Sequence, residues 1–198
     1  GIVGSAPGGL ATVTIVACTF FAAISGSGPA TTAAIGSIMI PAMLRDGYGR
    51  DFSAAISSSA GGIGVVIPPS IPMIIYGITA GTSISGLFLA GVIPGLMLAV
   101  ALWMVSVVIS KRNGWVSHSN MSRSARGIGA AAWDAKWALF APVIILGGIY
   151  GGVFTVTEAS VVAVLYALLT GVMIFRKITF NVLFDALIYT VRITGTVL

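Results

Sequence analysis

The chain has 198 residues, 57% of them hydrophobic and 8% charged, with a formal net charge of +5 and a mean hydropathy of +1.07. A soluble domain carries about 25% charged residues, so this composition excludes a water-soluble globular protein and points to an all-α integral membrane protein. Nor does the basic excess indicate nucleic acid. Nine of the ten basic residues, all but Arg192, fall in three segments, Arg45 and Arg50, then Lys111 to Lys136, then Arg176 and Lys177, as in the loops of a multi-pass membrane protein.

In chain order, residues 1–44 contain no Asp, Glu, Lys or Arg. Residues 10–25 and 33–44 are apolar arms separated by Ser25-Gly26-Ser27-Gly28-Pro29. Each arm is short of the about 20 residues a crossing needs. Residues 10–44 therefore read as a re-entrant helical hairpin, with a pair of tilted crossings as the alternative. Residues 45–51 form a polar turn.

Residues 52–78 read as a broken, discontinuous helix. Its halves, 52–60 and 71–78, flank a break running from Gly61 through Pro68-Pro69 to Ser70. Proline lacks the N–H and disfavours helix in the residue before it. Residues 87–110 form a continuous crossing that contains Pro94. Residues 111–136 are a basic loop, and Trp115, Trp133 and Trp137 mark an interface there. Residues 137–150 and 157–175 are further membrane helices, 181–189 an interfacial arm, and 191 onward the start of another apolar segment.

This gives three parts: a unit over 1–110, a cytoplasmic loop over 111–136, and more membrane helices over 137–198. If the hairpin returns to its own side, the loops at 45–51, 111–136 and 176–177 share one face, the cytoplasmic one by their charge. Gly1 and Leu198 read as the ends of a piece of a longer chain.

The two breaks carry the chemistry. Unpaired backbone in hydrocarbon costs several kcal/mol per group, so it is tolerated only when buried in protein or lining a wet cavity. Paired interruptions are the best sequence-level pointer to a transporter's binding site. Hydroxyls and freed carbonyls are oxygen ligands suited to a cation such as Na⁺, and the helix start near Thr31 offers N–H groups to an anion. The competing reading is close helix packing through small residues.

Elsewhere the signals are structural. Thr155-Val156-Thr157-Glu158 fits a capping box, so Glu158 reads as a cap rather than an ion site. His118 sits among serines in the polar loop. Cys18 has no partner for a disulfide or a metal site. No nucleotide fingerprint and no paired intramembrane acids occur, so no catalytic residues are expected and the chain is not read as an enzyme.

Several motifs together resemble one family. They are Ser25-Gly26-Ser27-Gly28-Pro29-Ala30-Thr31, Ile40-Pro41-Ala42-Met43, Ile67-Pro68-Pro69-Ser70-Ile71-Pro72-Met73, Leu87-Phe88-Leu89-Ala90-Gly91, Ile93-Pro94-Gly95 and Thr157-Glu158-Ala159. Their order and spacing are similar to those of the large membrane (permease) subunit of TRAP (tripartite ATP-independent periplasmic) transporters of the dicarboxylate and sialic acid type. The resemblance implies an elevator-type repeat in the bacterial inner membrane. It implies Na⁺-coupled import of organic acids, with a small membrane subunit and a periplasmic substrate-binding protein as partners. This chain would hold most of the first repeat and the start of the second. By position, Na⁺ falls to Ser25, Gly26, Ser27, Ser58, Ser59 and Gly62, and substrate to Pro29, Thr31, Thr32 and Ser70. The alternatives are another ion-coupled anion transporter or exchanger, or a non-transporting membrane scaffold subunit.

Overall fold

A computed structural model describes residues 8–115 and 125–197, without the side chains of 125–135, 138, 139, 193, 194, 196 and 197. Among the described residues the ordered structure is helical, with no strand. Contacts divide the chain into two compact units, Gly1–Pro142 and Val143–Leu198.

In the first unit, α1 (Gly9–Ser25) presents Ala11, Ile15, Cys18 and Ala22 at spacings of four and three, so one helical face is buried. It stops at Gly26, whose φ of 60° lies in the left-handed region that glycine adopts without penalty. Gly26 N–H donates back to Ala22 O at 3.0 Å. Helix α2 (Gly28–Arg45) starts two residues later. Ser27 caps it by accepting from Ala30 N–H, and Pro29 occupies the first turn, where its missing N–H costs nothing. α1 and α2 thus form a helical hairpin with a two-residue tip.

The polar turn leads into α3 (Arg50–Gly62), which tightens into a 3₁₀ turn at Ile63–Val65. After the break, α4 (Ile71–Thr79) is capped by Ser70 and carries Pro72 in its first turn. Helix α5 (Ile84–Arg112) follows. The core joins the four inward residues of α1 to Met39 and Met43 of α2, Ile56 and Ala60 of α3, Ile63 and Ile67 of the break, and Ala99 of α5.

At one end of this unit Trp115 packs on the polar turn, with ring centroids 5.0 Å from Phe52 and 5.4 Å from Tyr48. This contact brings Arg45 and Arg50 to the same end as Lys111 and Arg112.

Helix α6 (Ala125–Tyr150) runs across the division between the units. In the second unit α7 (Val156–Leu169) continues through a π turn at Thr170–Ile174, and α8 is Phe180–Val197. Thr155 and Glu158 form the expected capping box. Thr155 N–H donates to a Glu158 carboxylate oxygen at 2.8 Å, and Glu158 N–H to Thr155 Oγ1 at 3.3 Å.

Two described helices, Ile84–Arg112 and Val156–Ile174, are long and apolar enough to cross a membrane. In each, only 11% of the most apolar window is buried. A core helix of a soluble protein would instead hide most of such a surface. At about 1.5 Å per residue α5 exceeds the roughly 30 Å hydrocarbon thickness.

Several expected boundaries move. The break in the broken helix is shorter, because α3 continues through Gly61 and Gly62. Tertiary packing there overrides the low helix propensity of glycine. The polar segment after α5 yields to helix from Ala125, where Ala130-Ala131-Ala132 are the strongest helix formers available. The arm at 181–189 and the segment from 191 are one helix, since no breaker lies between them. His118 lies outside the described residues.

Candidate functional site: hairpin tip against broken helix

The two breaks meet. Ile71 N–H, the first of α4, donates to Gly26 O at the hairpin tip at 3.0 Å. Each interrupted segment thereby satisfies a backbone group that the other leaves free. The approach needs a bare Cα at Gly26, because a Cβ there would lie 2.6 Å from Pro69 O.

Below the tip, α2 and α3 close along a seam of small residues. Gly28 faces Val65 and Gly61 O, Gly61 faces Thr32, and Gly36 faces Ser57. A Cβ on Gly61 would overlap Thr32 Oγ1 and come 3.0 Å from Thr32 Cα. A Cβ on Gly64 would come 2.8 Å from Thr31 Oγ1 and 3.0 Å from Ser27 O. On the other side Gly91 and Gly95, one turn apart on α5, lie under Val66 and Ile67. Small residues at these positions let the backbones approach as helices do in lipid.

The tip is held by its own hydroxyls. Ser27 O accepts both Thr31 N–H at 3.0 Å and Thr31 Oγ1–H at 2.8 Å. Ser25 Oγ is 2.8 Å from Thr31 Oγ1 and accepts Ser27 N–H at 3.3 Å. In the break, Ser70 Oγ donates to Val65 O while accepting Met73 N–H.

These positions sort the expected site residues. Ser25, Gly26 and Ser27 gather at the tip against the break. Ser58, Ser59 and Gly62 lie on the exposed side of α3, and a Cβ on Gly62 would touch nothing. Pro29 is exposed and Thr32 half-buried at the seam. Thr31 and Ser70, expected as substrate contacts, are both 0% exposed with their hydroxyls bonded internally. In this structure neither presents its hydroxyl to a ligand.

Ser57 is the first of the three consecutive serines, Ser57, Ser58 and Ser59, that the sequence offers beside the second break. It is 1% exposed, and its Oγ has no hydrogen-bond partner among the described residues. Its neighbours Ser58 and Ser59 point outward because consecutive helical residues step by about 100°. Gly64, Gly91 and Gly95 were missed as packing partners. The four-residue spacing of Gly91 and Gly95 on a helix was the available signal.

Fold and site together define a helical membrane protein in which a hairpin tip and a broken helix satisfy each other's backbone at one locus. Comparison with known proteins gives the family. The description "Tripartite ATP-independent periplasmic transporter, DctM component" matches residues 1–198. The chain belongs to this family of TRAP transporter large permease proteins. It is 49% identical over 187 residues to the isethionate TRAP transporter permease protein DctMQ of Oleidesulfovibrio alaskensis, covering 94% of this chain and 29% of that protein. It is 45% identical over 174 residues to the C4-dicarboxylate TRAP transporter large permease protein DctM of Pseudomonas aeruginosa, covering 88% of this chain and 40% of that one. To the ectoine/5-hydroxyectoine large permease protein UehC of Ruegeria pomeroyi it is 44% identical over 195 residues, covering 98% of this chain and 45% of that one. The chain thus spans less than half the length of these relatives.

Proposed function

We propose that this chain is the hairpin-and-broken-helix part of a secondary permease that imports organic acids by Na⁺ symport. Substrate arrives on a periplasmic binding protein, and a small membrane subunit completes the complex in the bacterial inner membrane. The observation that carries the reading is the Gly26–Ile71 contact, which joins two interrupted segments within a chain of this family. Interrupted helices that pair in this way are how membrane transporters assemble ion and substrate sites.

In this reading the hairpin is re-entrant and residues 1–110 act as one transport unit, with 111–136 facing the cytoplasm. Tip oxygens of Ser25, Gly26 and Ser27 supply the Na⁺ side. Ser58, Ser59 and Gly62 on the open side of α3, with Pro29 and Thr32 across the seam, form the surface a ligand approaches. Na⁺ bound at the tip raises affinity for the acid, and the acid raises affinity for Na⁺ by the same factor. The unit then carries both across the membrane as a rigid body.

The substrate class follows the relatives only in its broadest feature. Isethionate, C4-dicarboxylates, ectoine and 2,3-diketo-L-gulonate are the cargoes in the relatives' names, and each carries an acidic group. The test is uptake by the complete complex in proteoliposomes, screened over these acids and sialic acid. Import driven by an inward Na⁺ gradient, and absent with a K⁺ gradient of the same size, is the expected result. Import that follows a proton gradient instead, or none for any acid, would overturn the Na⁺-coupled reading.

A further inference from the structure

We propose that Thr31 is a positioning residue, whose hydroxyl holds the hairpin tip in the one conformation that pairs with the break and does not contact the substrate. The proposal rests on the transport reading for its functional consequence, but not for its structural one.

Thr31 is 0% exposed, so no ligand reaches its hydroxyl without opening the tip. A threonine hydroxyl has one proton to give and lone pairs to accept. If that proton goes to Ser27 O at 2.8 Å, Thr31 Oγ1 is left as acceptor for Ser25 O–H, also at 2.8 Å. Ser25 Oγ in turn accepts Ser27 N–H at 3.3 Å. Every group in this ring has a partner.

The ring links the two arms of the hairpin. Ser25 is the last residue of α1, while Thr31 lies in the first turns of α2. A bond from Thr31 to Ser27 alone would be ordinary back-bonding within a helix. The contact with Ser25 adds a tie across the tip and fixes the peptide at Gly26, whose carbonyl receives Ile71 N–H. Clearance for this arrangement comes from the facing element. Gly64 presents no side chain where a Cβ would come 2.8 Å from Thr31 Oγ1. Thr31 therefore acts on the site through Gly26 and Ser27.

Thr31→Val keeps the branched shape and removes only the hydroxyl, whereas Thr31→Ser keeps the hydroxyl and removes a methyl. The full-length permease in lipid nanodiscs is compared by hydrogen–deuterium exchange. In Thr31→Val, exchange in the tip and in the segment around Ile71 is expected to quicken about tenfold, the scale of the hydrogen bonds that Thr31 Oγ1 makes to Ser27 O and Ser25 Oγ. Exchange along α5 stays unchanged, and Thr31→Ser stays within about twofold of the wild type in all segments. Unchanged tip exchange in Thr31→Val, or equal quickening in both variants, overturns the proposal.

In uptake by the complete complex, Thr31→Val raises the Na⁺ concentration for half-maximal transport by a similar factor while maximal rate falls less, and Thr31→Ser restores it. A lowered maximal rate with unchanged Na⁺ dependence also overturns the proposal. Failure of the wild-type complex to transport would sink the transport reading alone, because the exchange comparison does not depend on it.

Discussion

The starts of α2, α4 and α7 are made in two different ways. α2 and α4 start behind Ser27 and Ser70, with Pro29 and Pro72 in the first turn and no acidic residue there. α7 starts behind Thr155 with Glu158 closing a capping box, and both residues lie exposed. The exposed start satisfies itself with a charge that solvent or headgroups can tolerate. The starts at the tip and after the break use neutral hydroxyls, and the first N–H of α4 is left for Gly26 O at the end of α1. A free carboxylate there would be costly to bury. Local self-sufficiency thus marks a structural helix start, and mutual dependence marks the candidate site.

The contrast can be strained most severely at the seam under the tip. Gly61→Leu puts a side chain into Thr32, where both partners are anchored in helices, and α2 must separate from α3. A loss of about 3 kcal/mol is expected from overpacking of this kind, seen as a large fall in the melting temperature of the full-length protein in detergent. Gly26→Ala comes next. It forces a side chain into a left-handed conformation and against Pro69 O, at a cost of about 2 kcal/mol. Uptake should be lost with it, because the tip can no longer reach Ile71.

At the self-sufficient start, Thr155→Ala removes a cap worth about 1 kcal/mol. The melting temperature falls slightly and uptake per folded transporter stays at the wild-type level. Loss of uptake there would erase the distinction between the two kinds of start. Gly62→Ala gives the smallest change and the opposite sign. Gly62 has a helical φ of −58° and open space around it, so alanine should leave stability unchanged or raise it by up to about 1 kcal/mol. A loss of uptake despite that stability would place Gly62 on the ligand-facing surface.

Much of this was legible in the chain itself. Glycine, serine and proline interrupting apolar runs mark both breaks, because those residues deny the helix its regular bonds or conformation. The Thr155–Glu158 start was legible as a capping box, since that motif is local. What escaped depends on contacts distant in sequence. The three consecutive serines 57–59 look equivalent until helical phase turns Ser57 inward. Gly61 and Gly62 read as part of a break, yet packing against Thr32 keeps Gly61 helical. Thr31 and Ser70 looked like ligand groups because hydroxyls near a helix start serve either purpose. Only burial shows that these two are turned to the protein. The packing of Trp115 against Tyr48 and Phe52 has no local signature at all.

The hairpin tip sits against the broken helix. Gly28 and Val65 test this most directly, since a Cβ on Gly28 would lie 2.9 Å from Val65 Cγ2, close to where a disulfide needs its second sulfur. In the full-length protein with Cys18→Ala, the pair Gly28→Cys and Val65→Cys should oxidise readily in native membranes. After denaturation, neither thiol then takes a maleimide–polyethylene glycol label unless reductant is added first. Full labelling of both cysteines after oxidation, in a protein that is folded and inserted, would contradict the account.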